Sequence, residues 1–268
     1  MLRSMYSGIS GMKNFQTKLD VIGNNISNVN TYGFKKGRVT FQDLVSQSIS
    51  GASAPSTTTQ MGGVNPKQVG LGSQLSTIDT IDTQGSLQTT ARTLDLAISG
   101  DGYFILAKGD GNEKTYSRAG NFYLDDEGNV VNSDGKYLQG QGKIKINIPT
   151  NAKSFSIGND GTVSYIDNAG ALQTAGQISI AKFANNGGLE KVGANNYQES
   201  TNSGDPKVDV PGGANGQGTI VSGALEMSNV DLSEEFTDMI VAQRGFQANT
   251  RIITTSDEIL QELVNLKR

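Results

Sequence analysis

Cysteine, histidine and tryptophan are all absent from this 268-residue chain. Without thiol or imidazole there can be no disulfide, no cysteine nucleophile, no Ser/His/Asp triad and no zinc site built on nitrogen or sulfur ligands. No run approaches the roughly 18 apolar residues of a membrane-spanning helix, and residues 1–9 lack the apolar block of a secretory signal. Neither membrane insertion nor a cleaved export signal is therefore expected. Neither sign of charge dominates: 22 Lys and Arg stand against 26 Asp and Glu, a net charge of −4. With no strongly basic segment, nucleic acid is not an expected partner. Gly-x-Gly occurs at Gly100 and Gly102, but without the remaining positions of a nucleotide fingerprint. No carboxylate set has the spacing of an EF-hand loop, so no cofactor and no metal are expected.

What is present is a seven-residue apolar beat near each end. Leu232, Met239, Phe246, Ile253 and Leu260 repeat at intervals of seven, with Phe236 and Val264 in a companion series four residues on. Near the other end Met12, Phe15, Leu19, Ile22, Ile26 and Val29 step alternately by three and four. Both patterns predict long coiled-coil helices, whose stripes must be covered by each other or by another molecule. Burying each such side chain contributes up to roughly 1.5–3 kcal/mol, so an uncovered seam is a strong drive to associate. Met12, Leu19, Ile22, Ile26, Leu232, Phe236, Met239, Phe246, Ile253, Leu260 and Val264 are accordingly the candidate self-assembly residues. Gln243, Thr250 and Asp257 interrupt the companion series, either as a less buried side or as polar register-setting positions.

The first helix should end near residues 28–33, where Asn28, Asn30 and Gly33 accept left-handed backbone. With Asn24 and Asn25 they form a candidate helix-end junction. Asp231 and Glu234 make a capping-box-like start for the second helix, and Lys267 and Arg268 would complement its C-terminal dipole. Between the helices glycine is abundant, 34 in the whole chain. Residues 46–90 are mostly Ser, Thr, Gln and Gly and read as a linker with little core. From residue 92 short apolar runs (94–98, 103–106, 122–124, 130–131, 155–157, 163–166, 178–183) alternate with turn pairs such as Asp101-Gly102, Asp110-Gly111, Asp134-Gly135 and Asp160-Gly161. Ile144, Ile146 and Ile148 add a period-two segment.

The expected fold class is α+β multidomain: long N- and C-terminal coiled-coil helices, a Gly/Ser/Thr-rich linker and a central all-β domain. The boundaries read as 1–30 for the N-terminal helix, 31–91 for the linker, 92–227 for the β domain and 228–268 for the C-terminal helix. Adjacent carboxylates such as Asp125 with Asp126, or Glu234 with Glu235, could in principle serve acid/base chemistry, but side-by-side placement on turns or helix starts is solvated charge rather than a facing pair.

Three blocks carry a family resemblance. Ser7 to Met12, Leu19 to Thr31 and Gly33-Phe34-Lys35 resemble the N-terminal signature of bacterial flagellar rod and hook proteins. Leu94 to Phe104 with Tyr116-Ser117-Arg118-Ala119-Gly120-Asn121-Phe122 is similar to the start of their β domain, and Ser228 to Leu266 to their C-terminal helix. Within the family, Ala242-Gln243-Arg244 and residues 263–266 look most like a hook protein without an additional outer domain. The resemblance implies a helical homopolymer whose terminal helices line an inner tube. It further implies flagellar rod, hook-cap and hook–filament junction proteins as partners, and delivery by the flagellar type III export apparatus to an extracellular hook or basal body. The expected function is a hook subunit: a curved, flexible tube that transmits motor torque and encloses the export channel. The alternative is a subunit of the distal rod, the driveshaft. A carboxylate-based peptidoglycan-degrading enzyme is the competing class, and the expectation is that the chain is not an enzyme.

Overall fold

A computed structural model describes residues 2–55, 62–109, 113–213 and 215–266. The turn pair Asp110-Gly111 and the terminal Lys267 and Arg268 lie outside the described residues. The chain is α+β and multidomain, with one helix near each end and strands between. It divides into a helical unit drawn from residues 1–26, 37–79 and 231–268 and a β unit drawn from residues 27–36 and 80–230.

In the helical unit, α1 (Leu2–Ser27) and α2 (Leu232–Asn265) form where the apolar beat runs uninterrupted. All five prolines lie elsewhere, so neither helix loses a backbone bond to proline. Asp231 caps α2, accepting from the Ser233 amide at 2.8 Å and the Glu234 amide at 3.4 Å. Neither helix is long and apolar enough to cross a membrane among the described residues. The helices pair antiparallel within the one chain: Gly8 lies beside Ile253, Phe15 against Gly245, and Lys18 reaches Asp238 at 3.2 Å. Of the two expected coverings for the seams, the structure therefore supplies the other terminus.

Residues 46–90, expected as a loose linker, hold short strands. Ser46–Ser50 pairs antiparallel with Lys67–Gly70, and Gly37–Asp43 lies beside Ser73–Thr80. Their side chains are largely exposed, so pairing satisfies the backbone without building a core. Composition registered the missing core but could not register the pairing.

The β unit is organised by Tyr103–Lys108, an apolar run in which both faces are buried. Phe104 and Leu106 enter a core with Leu96, Ile98, Phe122, Val130, Leu138, Ile146, Ile178, Ile180 and Ile220. Tyr103 and Ile105, on the opposite face, enter a second cluster with Tyr116, Ala181, Phe183 and Tyr197. A strand buried on both faces belongs in the middle of a sheet. Tyr103–Lys108 pairs antiparallel with Glu113–Ser117, with Tyr137–Leu138 and with Ile180–Lys182. A separate three-stranded meander (Ser154–Ile157, Thr162–Ile166, Leu172–Gln177) covers part of the first core. Thr219–Ser222 returns beside Leu96–Ser99, and Ala224–Glu226 beside Leu87–Thr89.

One expected strand differs. Ile146 and Ile148 point inward as period two predicts, but Ile144 is exposed and the segment makes only isolated bridges, Gln139 to Lys145 and Asn129 to Asn147. The short 3₁₀ turn Gln141–Lys143 directs the chain away from a continuous ladder.

Candidate assembly surface and buried junction

The face of α2 that meets α1 is a line of small and polar residues. Glu235, Ala242 and Ser256 are its buried residues, 6%, 0% and 7% exposed, and half-buried Asn249 completes the seven-residue spacing. Small residues bring the backbones close. A Cβ on Gly245 would stand 2.5–2.8 Å from the Phe15 ring, and one on Gly11 2.9 Å from the Asn249 amide. Thr250 donates to the Met12 sulfur at 3.6 Å and also to the Phe246 carbonyl.

The candidate self-assembly residues fall into two groups. Ile22 is buried, and Met12, Leu19, Ile26, Met239, Phe246, Ile253 and Leu260 are partly covered. Leu232, Phe236 and Val264 are exposed, at 40%, 50% and 66%. Phe236 and Val264 of the companion series, four residues after the beat, are thus uncovered, although Thr250 of the same series reaches Met12, and the buried companion is the series three residues after the beat, from Glu235 to Ser256. That series was illegible because Glu235, Asn249 and Ser256 carry no apolar signal. Further apolar side chains of α2 are also exposed: Ile240, Val241, Ile252, Ile259 and Leu263. At ~100° per residue, Phe236 and Ile240 stand on one flank of the buried line, and Val241, Ile252 and Ile259 on the other. The helix is apolar over a wider arc than α1 covers.

Of the junction residues, Asn25 is buried and has the fullest part. Its side chain bonds both backbone groups of Gly37, accepting from N–H and donating to C=O at 2.9 Å each, and donates to Glu235 at 3.2 Å. It thereby ties α1 to the first strand and to the start of α2. Asn25→Ala would leave the Gly37 groups and a buried carboxylate without these partners. The expected loss is about 2–3 kcal/mol of helical-unit stability in denaturant titration followed by helical circular dichroism; an unchanged midpoint would refute the assignment. Asn28 accepts from the Thr31 hydroxyl at 3.1 Å, and its carbonyl from the Thr31 amide at 3.2 Å, closing the turn after α1. Asn24 and Asn30 are exposed.

Gly33 is buried with φ +69°, and a Cβ there would lie 2.6 Å from the Ala119 nitrogen, so only glycine fits. Its amide donates to the Glu226 carbonyl at 2.8 Å. Around that contact the β unit encloses a charge node that sequence reasoning missed. Lys35, Arg118 and Glu226 are 1%, 2% and 1% exposed. Lys35 Nζ donates to Glu226 Oε1 and to the Thr83 carbonyl, both at 2.7 Å, and stands 3.7 Å from Asp82. Arg118 donates to Glu226 Oε2 at 3.2 Å and to the Gly100 carbonyl at 2.9 Å, and lies over the Tyr103 ring. Tyr103 donates to Asp82 at 2.6 Å. Burial, with the Asp82 charge adding to it, pushes the Tyr103 phenol far up and keeps it the donor. Two cations and two carboxylates share the node.

Neither acid/base candidate pair faces a common point. Asp125 and Asp126 occupy an exposed turn in which Asp125 accepts from the Asp126 amide, while Glu235 is buried against Asn25 and its neighbour Glu234 is exposed. Among the described residues no cluster of carboxylates could hold a metal ion.

Comparison with known proteins gives three family matches: "Flagella basal body rod protein" over residues 5–35, "Flagellar hook protein FlgE/F/G D1 domain" over 97–165, and "Flagellar basal body rod FlgEFG protein C-terminal" over 221–266. The flagellar basal-body rod protein FlgG of Bacillus subtilis (strain 168) is 63% identical over 268 residues, covering all of both chains. That of Agrobacterium fabrum is 40% identical over 259 residues, 96% of this chain and 97% of the relative. The flagellar hook protein FlgE of Borreliella burgdorferi is 34% identical over an alignment of 446 residues that spans all of each chain.

Proposed function

Since the chain belongs to the flagellar hook and basal-body rod family, we propose that it is the distal rod subunit, a self-assembling element of the driveshaft rather than of the hook. The carrying observation is the end-to-end match to a rod protein of equal span, 63% identical over 268 residues. The hook relative aligns over 446 residues, a length this chain cannot fill, so that relative carries segments without counterpart here. The hook reading taken from Ala242-Gln243-Arg244 and residues 263–266 rested on short blocks, and the full-length comparison favours the alternative.

The geometry of α2 supports self-assembly. Its two apolar flanks differ in composition, Phe236 and Ile240 against Val241, Ile252 and Ile259, and lie on opposite sides of the intrachain seam. A contact between unlike surfaces repeats without closing on itself and builds an open helical filament. The partners are then further copies of the chain, neighbouring rod and hook components and, for delivery, the flagellar type III export apparatus. No step in this role requires catalysis.

Immunogold labelling of isolated hook–basal bodies tests the reading. Antibody raised against the chain is expected on the straight shaft below the hook, and labelling confined to the curved segment outside the cell would overturn it.

A further inference from the structure

The segment between α1 and the first strand of the helical unit, residues 32–36, packs into the β unit through groups supplied from far along the chain. The Gly33 amide donates to the Glu226 carbonyl, the Lys36 amide to Asn229 Oδ1 at 2.8 Å, and Lys35 Nζ to Glu226 Oε1. Asn229 also donates to the Ile81 carbonyl at 2.9 Å and to the Thr83 hydroxyl at 3.0 Å, while Glu226 Oε1 accepts from the Gly85 amide at 3.0 Å. Residues 224–229 therefore hold two segments at once, 33–36 and 81–85.

Charge makes this arrangement conditional. With residues 224–229 absent, Lys35 retains the Thr83 carbonyl and, at 3.7 Å, Asp82; Arg118 retains the Gly100 carbonyl and the Tyr103 ring. Two cations would then be enclosed with a single carboxylate, and that carboxylate already accepts from Tyr103. Burying an uncompensated charge is strongly unfavourable, so the enclosed state waits for the second carboxylate. The segment has further contacts: Asn195 and Lys191 donate to the Tyr32 and Lys35 carbonyls at 3.2 and 3.4 Å, Lys191 lies over the Phe34 ring, and Ile81 N–H donates to the Lys36 carbonyl.

We propose that Glu226 is a closing latch: residues 32–36 dock onto the β unit only when the strand Ala224–Glu226 is in place, because Glu226 completes the charge balance of Lys35 and Arg118. In a chain synthesised N-terminus first, the latch keeps this early segment open to solvent until residue 226 has been added. The central sheet need not wait, since Tyr103–Lys108 pairs with Glu113–Ser117 and Tyr137–Leu138 through backbone bonds that use no residue of 224–229.

Pulse-labelled hydrogen exchange during refolding of the full chain tests the order. The Lys36 and Gly33 amides are expected to gain protection in the same phase as the Met227 amide, which donates to the Ser86 carbonyl. The Gln139 and Ile178 amides, bonded within the core region, are expected to be protected earlier. At equilibrium, Glu226→Gln should speed exchange at Lys36 by roughly tenfold or more while leaving Gln139 and Ile178 unchanged. Lys35→Met combined with Glu226→Gln restores the charge balance and should return part of that protection. Protection of Lys36 before Met227, unchanged exchange at Lys36 in Glu226→Gln, or a double variant no slower than the single would each overturn the latch. Should Glu226→Gln fail to fold, the refolding order of the unaltered chain decides the matter alone.

Discussion

Gly120→Ala is expected to unfold the β unit of the full chain. A Cβ at this position would fall on the carbonyl oxygen of Leu96, with the Leu96 carbonyl carbon 2.7 Å away. The obstacle is backbone, and it cannot step aside. Leu96, Ala97 and Ile98 are fully buried, their strand is paired with Thr219–Ser222, and the Leu96 amide itself donates to the Gly120 carbonyl at 2.9 Å. Overpacking against an immovable strand costs about 3 kcal/mol or more, a large share of the ~5–15 kcal/mol that holds a domain folded. Gly170→Ala serves as the comparison: its backbone, unlike that of Gly120, is left-handed, at φ +82°, but nothing lies within 4 Å of the added carbon. It should cost about 1–2 kcal/mol from backbone strain alone. Denaturant unfolding followed by tyrosine fluorescence measures both, and a Gly120→Ala midpoint equal to that of Gly170→Ala would contradict the close approach.

The second large effect separates folding from assembly on a single helix. Ala242→Asp places a carboxylate at a fully buried point of the α1–α2 seam, where no cation is available to it among the contacts described. The expected loss is about 3–5 kcal/mol, read as reduced helical circular dichroism and as failure to polymerise. Phe236→Asp, six residues earlier and half exposed, removes apolar surface from the outer flank and leaves the seam intact. Its helical signal and melting midpoint should match those of the unaltered chain, while sedimentation shows that added subunits no longer extend a polymer. If Phe236→Asp lowered the melting midpoint as much as Ala242→Asp, the flank would be part of the subunit's own core. If it polymerised normally, the flank would have no part in assembly.

The contrast between these two residues also marks how far the sequence could be read. The seven-residue beat located both helices because a heptad signal is local and apolar. It could not identify which companion series is covered, because coverage is decided by Glu235, Asn249 and Ser256, whose burial depends on partners such as Asn25, 210 residues away from Glu235. Tyr103–Lys108 was legible as a strand from composition, and its burial on both faces explains why it reads as a continuous apolar run. The segment containing Ile144 misled because alternation reports which side chains turn inward, whereas a ladder requires a neighbouring strand at the right height.

Lys35 and Arg118 fell within blocks recognised by resemblance, yet their chemistry was unreadable. Their shared partner Glu226 lies 191 and 108 residues away, and an isolated Lys or Arg in a sequence signals solvated charge. Residues 27–36 and 80–91 belong with the β unit because the node and the strand Leu87–Thr89 hold them there, against a linker composition that suggests independence.

The node also gives the β unit an uneven response to temperature. Hydration of Lys35, Arg118 and Glu226 in the open state carries an unfavourable entropy, so the cost of stripping water from them falls on warming, whereas apolar burial per unit area levels off. Cooling has the reverse effect: water competes harder for the three charges just as the apolar driving force fades. The Gly33 and Lys36 amides should therefore lose protection relative to the sheet core as the protein is chilled, making the junction the region that loosens first in the cold.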